Sequence, residues 1–178
     1  MTNLPLPEID PDGLLEYSVV FTDRSLNHMS KKFRGVMQEL LQLLRSTYGA
    51  HAAAIVPGGG SYAMESVARQ FATNKKVLVV RNGQFSYRWS QIFEAGDIPA
   101  EHDVKKAVDQ GNKQFAPAAI EDVVAHIRET KPDVVFAPHV ETAAGIMLND
   151  EYIKAIGEAI HEVGGLFLSL IHISEPTR

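Results

Sequence analysis

The residues best suited to chemistry begin at Gly58-Gly59-Gly60-Ser61, which follow the apolar stretch 52–56 and open onto a segment of helical character. Glycines let a ligand approach the backbone closely, and the unpaired N–H groups at a helix start attract anions. A strand, a glycine turn and a helix in that order therefore suit a phosphate. The same glycines also suit a tight strand-to-helix turn with no ligand at all. A third reading uses Gly58, Gly60 and Ala63, which satisfy the G-x-G-x-x-A pattern of dinucleotide-binding folds, with Arg81 placed to grip the extra phosphate of NADP. That motif normally lies on the first strand of its domain, whereas here a helix and an N-terminal arm come first.

Two further strand ends carry polar or aromatic residues. The run 76–81 leads into Asn82-Gly83-Gln84-Phe85, and Phe85, directly beyond the strand, is placed to stack on a flat ring. Tyr87 and Trp89 read as core or interface residues. The apolar run 134–137 ends in Pro138-His139-Val140-Glu141-Thr142, where Thr142 offers a hydroxyl at the same sheet edge. His139 and Glu141 are two apart, but a metal site needs three or four converging groups, so no metal site is expected. Glu158 and His161 share a helical face that reads as solvated.

The elements that must position these residues follow from periodicity. Val36, Met37, Leu40, Leu41, Leu43 and Leu44 recur at helical spacing, so 30–47 is expected to be an amphipathic helix with Ser30 as its N-cap and Gly49 ending it. Beyond it, short apolar runs at 52–56, 77–80 and 134–137 alternate with helical segments. That alternation is the pattern of parallel strands joined by crossover helices, so the fold class is α/β. Pro117 suits the first turn of a helix whose buried stripe is Ile120, Val123, Val124 and Ile127. Asn149 is expected to cap another, with Ile153, Ile156, Ile160 and Val163 on one face and Gly164-Gly165 at its end. The stretch 109–113 reads as an exposed loop.

Composition narrows the partners. The chain has 178 residues, and its net charge of −5 offers no concentrated basic surface for nucleic acid or an anionic membrane. Cysteine is absent, which excludes disulfides and thiolate chemistry. No apolar run approaches the ~20 residues needed to span a bilayer, and 1–10 lacks the pattern of a secretory signal. A soluble, cytoplasmic protein is expected.

Taken together, Asn27-His28-Met29-Ser30, Gly58-Gly59-Gly60-Ser61, Asn82-Gly83-Gln84-Phe85 and Pro138-His139-Val140-Glu141-Thr142 with Gly145 resemble the class V branch of fold-type I pyridoxal-phosphate enzymes. The likeness is strongest to the alanine–glyoxylate and serine–pyruvate aminotransferases. It implies part of a large domain with a mostly parallel sheet and helices on both faces. It also implies pyridoxal 5'-phosphate as cofactor, a homodimer, and transfer of an amino group between a small amino acid and a 2-oxo acid such as glyoxylate or pyruvate. By position, Gly59, Gly60 and Ser61 would hold the cofactor phosphate, Phe85 would stack on the ring and Thr142 would touch the ring hydroxyl. Ala143 and Ala144 depart from the Ser-Thr frequent in relatives. Other class V activities, a cysteine desulfurase or a lyase, remain open alongside the NADP reading.

The aspartate that partners the ring nitrogen and the lysine that holds the cofactor in this family are expected beyond Phe167 and are not found, so no catalytic residue is assigned. From Leu168 the chain ceases to resemble the family and reads like a translated sequencing adapter. The expected organisation is an arm at 1–30, a partial cofactor-binding domain at 31–167 and a non-native tail at 168–178. Such a fragment would be inactive and poorly soluble, with strand edges and apolar faces uncovered.

Overall fold

Val77, Leu78, Val79 and Val80 have no side-chain exposure, and the strand they form is the centre around which the fold is built. The computed structural model describes His28 and residues 31–171. The rest of the expected arm, Ser30 and residues 172–178 lie outside the described residues. The chain divides into two units, Met1–Ile55 and Val56–Arg178.

In the first unit, α1 spans Lys31–Thr47 as the apolar spacing predicts, and Gly49 at φ 56° lets Ala50 N–H reach back to the Arg45 carbonyl. None of its residues is buried, and Val36, Leu40, Leu43 and Leu44 remain exposed.

In the second unit the order is α2 (Gly60–Ala72), β1 (Lys76–Arg81), α3 (Gln84–Gly96), β2 (Glu101–Lys106), β3 (Val108–Gly111), β4 (Gln114–Ala116), α4 (Ile120–Thr130), β5 (Val134–Pro138), β6 (Val140–Glu141), β7 (Ile146–Met147), α5 (Asp150–Glu162) and β8 (Leu166–Leu170). Four strands make one sheet in the order β2-β1-β5-β8, all parallel. The side chains of β1 and β5 alternate between two apolar layers. Leu78, Val80, Val135 and Ala137 meet α4 and α5, while Val77, Val79, Val134 and Phe136 meet α2 and α3. Both faces are therefore covered, which is why these strands read as continuous apolar runs.

From β1 the chain crosses to β2 on one side, while β5 lies on the other. The C-terminal ends of β1 and β5 thus flank the switch point where open parallel sheets bind ligands. The three segments singled out above belong to this end of the second unit or to the helix starts beside it.

Several expectations are corrected. Residues 52–56 form no strand, and Ile55 and Val56 are 43% and 40% exposed. A short apolar run becomes a strand only where a neighbour takes up its backbone groups, and no described strand does so. The charged segment Glu101–Lys106 is instead a parallel strand at the sheet edge. Charges there discourage pairing with another chain, and they also hid the strand from its hydropathy. The expected loop at 109–113 belongs to a hairpin of β3 and β4, turned by Asn112 and Lys113, both at positive φ. Pro117 precedes α4, whose N-cap is Ala119, and does not enter its first turn. Asn149 does cap α5, its Oδ1 accepting from Tyr152 N–H at 2.9 Å. In β8, Leu168, Ser169 and Leu170 pair in register with Phe136, Ala137 and Pro138. Parallel pairing needs only backbone groups and apolar faces, and Leu168 and Leu170 pack against the α2–α3 layer.

Candidate functional site

The glycine turn is open in one part and closed in another. A side chain at Gly58 would strike the Tyr62 ring at 2.6 Å, and φ there is 129°, so glycine is required. Gly59 is the N-cap of α2 and Gly60 its first residue, and a Cβ at either would meet nothing within 4 Å. The first turn of this helix carries no acidic residue. Its N-terminus therefore presents backbone N–H groups to open space with the positive end of the helix dipole behind them.

Ser61 and Phe85 are 24 residues apart in sequence, yet one side chain joins them. Arg88 Nη1 donates to Ser61 Oγ at 3.1 Å, and the same guanidinium lies over the Phe85 ring, 5.6 Å from its centroid. Arg88 follows Phe85 by three residues on α3, so both occupy one helical face. The first turns of α2 and α3 are thus tied together by a cation. Sequence reasoning overlooked Arg88, although its i, i+3 spacing from Phe85 was a usable signal.

Glu141 anchors the start of α3 from the other side. It is fully buried, and its carboxylate accepts from Phe85 N–H at 3.1 Å, Ser86 N–H at 2.9 Å and Ser86 Oγ at 2.7 Å. Ser86 Oγ in turn accepts from the N–H groups of Asn82 and Gly83. The carboxyl group takes up two otherwise unpaired helix-start donors. Among the described residues no three His, Asp or Glu side chains converge as a metal site. His139 is buried beneath the strand end, its N–H donating to the Leu170 carbonyl and its own carbonyl accepting from Leu148 N–H.

Thr142 is exposed in the turn between β6 and β7, next to the residue that fixes the Phe85 backbone. Gly59, Gly60, Ser61 and Phe85 are thereby grouped about the two helix starts, and Thr142 is tethered to them through Glu141. The aromatic residues of α3 divide their roles. Trp89 packs in the core against Phe136 at 4.6 Å, as its core reading expected, and Tyr87 supports Arg81 at 4.9 Å. The glycine turn follows no strand, so the strand that the phosphate and dinucleotide readings both placed before it is absent, while the helix start that binds an anion is present.

No protein-family model matches the chain. Alanine–glyoxylate aminotransferase 1 of Saccharomyces cerevisiae is 26% identical over 147 residues, 78% of this chain and 36% of that protein. Serine–glyoxylate aminotransferase of Methylorubrum extorquens is 26% identical over 164 residues, 90% of this chain and 38% of that protein. The chain is thus similar in sequence to glyoxylate aminotransferases. It spans little more than a third of the length of these aminotransferase relatives. The crystal structure of ureidoglycine–glyoxylate aminotransferase from Bacillus subtilis superposes with a TM-score of 0.68 at 24% identity, covering 81% of this chain and 35% of that one. The sheet and its helices accordingly share the fold of part of that structure.

Proposed function

We propose that this chain forms the phosphate-holding and ring-stacking wall of a pyridoxal-phosphate aminotransferase that moves an amino group between a small amino acid and a 2-oxo acid such as glyoxylate or pyruvate. The observation that carries the reading is the Arg88 guanidinium, which joins the Ser61 hydroxyl to the Phe85 ring. A phosphorylated planar ring needs an anion site and a stacking surface side by side, and the two are coupled here through one cation.

The residues present fit such a group. Backbone N–H groups at Gly60 and Ser61, with the Ser61 hydroxyl, would hold the phosphate, and Gly59 leaves room for it. Arg88 adds charge of the right sign. Phe85 would cover one face of the ring and exclude water from it, and the Thr142 hydroxyl would donate to the ring oxygen. When bound, the cofactor supplies the electron sink for chemistry at the amino-bearing carbon. Glu141 acts one step away, holding the α3 backbone so that Phe85 keeps its place. The longer parent protein is proposed to be cytoplasmic and homodimeric, with 1–30 as an arm and 168–178 foreign to the family. Among the described residues no helix is long and apolar enough to cross a membrane.

The test is titration of the 178-residue chain with pyridoxal phosphate, followed by quenching of its single tryptophan, Trp89 on α3. Ser61→Ala and Phe85→Ala are each expected to weaken binding by about tenfold, the effect of losing a charged hydrogen bond or a stacking surface. Binding unaffected by both substitutions would remove the assignment. Long-read sequencing of the source locus across the codons for Phe167 and Leu168 tests the parent protein separately: a frame continuing to an aspartate and a lysine supports it.

A further inference from the structure

A cleft of about 850 Å³ opens beside the proposed cofactor wall and includes none of Gly59, Gly60, Ser61, Phe85 or Thr142 among its lining residues. It lies between the C-terminal ends of β1 and β2, the start of α3, the β3–β4 hairpin and Ala143-Ala144. Its charged lining is entirely cationic: Arg81, Lys106 and Lys113, with no carboxylate among the lining residues.

Arg81 and Lys106 are register partners at the ends of adjacent parallel strands, so their side chains leave the sheet on the same side. Like charges placed directly across a strand pair repel, and the pairing is relieved when an anion sits between them. Neither they nor Lys113 takes part in an ion pair among the described residues. Arg81 is also held in place. Its guanidinium lies over the Tyr87 ring at 4.9 Å and donates to Ser90 Oγ at 3.4 Å, which lowers the entropy lost on gripping a ligand.

A second, independent feature stands at the wall of the same cleft. Asn82 lines it, is only 4% exposed, and has neither Nδ2 nor Oδ1 hydrogen-bonded among the described residues. A buried amide with no partner is costly, so such groups mark places where a ligand or another polar group completes the bonding. The amide supplies both donors and an acceptor, and Gln84 and Gln114 on the lining add more.

We infer that this cleft binds a small multiply charged anion, a phosphate ester or a dicarboxylate, clamped by Arg81, Lys106 and Lys113, with the Gln84 and Gln114 amides on the lining to bond its polar body and Asn82 buried at the wall behind them. The site is independent of the cofactor reading, since it shares no lining residue with that wall.

Calorimetric titration of the 178-residue chain with inorganic phosphate and, separately, with succinate tests it. Saturable binding of one anion per chain that persists in Ser61→Ala is expected for the cleft, weakened by added sodium chloride. The double variant Lys106→Gln/Lys113→Gln, in which both changed residues are exposed, should weaken it by about tenfold or more, as loss of charged hydrogen bonds does. Preference for phosphate identifies a phosphate ester, and preference for succinate a dicarboxylate. Asn82→Asp, which places a negative charge at the cleft wall with little change of shape, should weaken the binding that persists in Ser61→Ala by about tenfold or more. Absence of saturable binding, or binding unchanged in the lysine double variant, would overturn the inference. Ser61→Ala should leave this binding intact, which separates it from failure of the cofactor proposal.

Discussion

Replacing Glu141 by Gln removes one charge and changes almost no volume, so its effect isolates the hydrogen bonding at the start of α3. In the native chain two backbone N–H groups and the Ser86 hydroxyl all donate to this carboxylate. Glutamine keeps one oxygen. Its NH₂ must then face either Phe85 N–H or the Ser86 pair, leaving at least one buried donor opposed by another donor. An unsatisfied buried donor costs about 1–3 kcal/mol. Loss of a negative charge at a helix N-terminus adds roughly 0.3–2 kcal/mol. The sum is on the order of 1–5 kcal/mol. With a urea dependence of about 2 kcal/mol/M, the unfolding midpoint should fall by roughly 0.7–2.5 M. Trp89 lies on the same helix, is buried, and is the only tryptophan, so its fluorescence reports this transition directly. The exposed pair Arg128–Glu162 supplies the control, and Glu162→Gln should barely move the midpoint. A Glu141→Gln midpoint within error of wild type would show that the buried carboxylate does not organise the start of α3.

Two further outcomes are expected. Gly83→Ala would bring a Cβ to 2.7 Å from Glu141 Cγ and Cδ, so it should destabilise by about 1–3 kcal/mol in the same urea assay and weaken pyridoxal-phosphate binding with it. Tyr152 has its phenol pushed up to about 12, chiefly by burial and then by the nearby Glu121 carboxylate, while its hydroxyl donates to the Ala118 carbonyl. The unfolded chain loses this proton first as pH rises past about 10, so the contribution is fully present below that value and is lost toward 12. Urea stability should therefore fall between these limits, and less steeply in Tyr152→Phe. An identical slope in the two proteins would count against the burial argument.

Much of the architecture was legible without coordinates. Continuous apolar runs at 77–80 and 134–137 read as strands covered on both faces, and the 3.6-residue spacing of Val123, Ile127, Ile153, Ile156 and Ile160 marked the helices that cover one of them. Turn chemistry at Gly58 and the cap at Asn149 were equally local, because each depends on the backbone of a few adjacent residues. Strand pairing is a different kind of fact. Residues 52–56 have strand-like composition but no partner, while the charged Glu101–Lys106 has a partner and becomes a strand. Hydropathy reports burial, and an edge strand is defined by hydrogen bonds that hydropathy does not see.

For the candidate site, the sequence by itself determined which residue types stand at the strand ends and helix starts: glycines that leave space, a serine, an aromatic ring and a threonine. Their grouping was decided by tertiary structure alone. Arg88 reaching Ser61, Glu141 receiving the N–H groups of Phe85 and Ser86, and Arg81 standing beside Lys106 join residues 27, 55–56 and 25 positions apart. Such contacts exist only once β1 lies between β2 and β5 and α2 and α3 pack on one face of that sheet, because side-chain chemistry acts over a few ångströms of space and takes no account of distance along the chain.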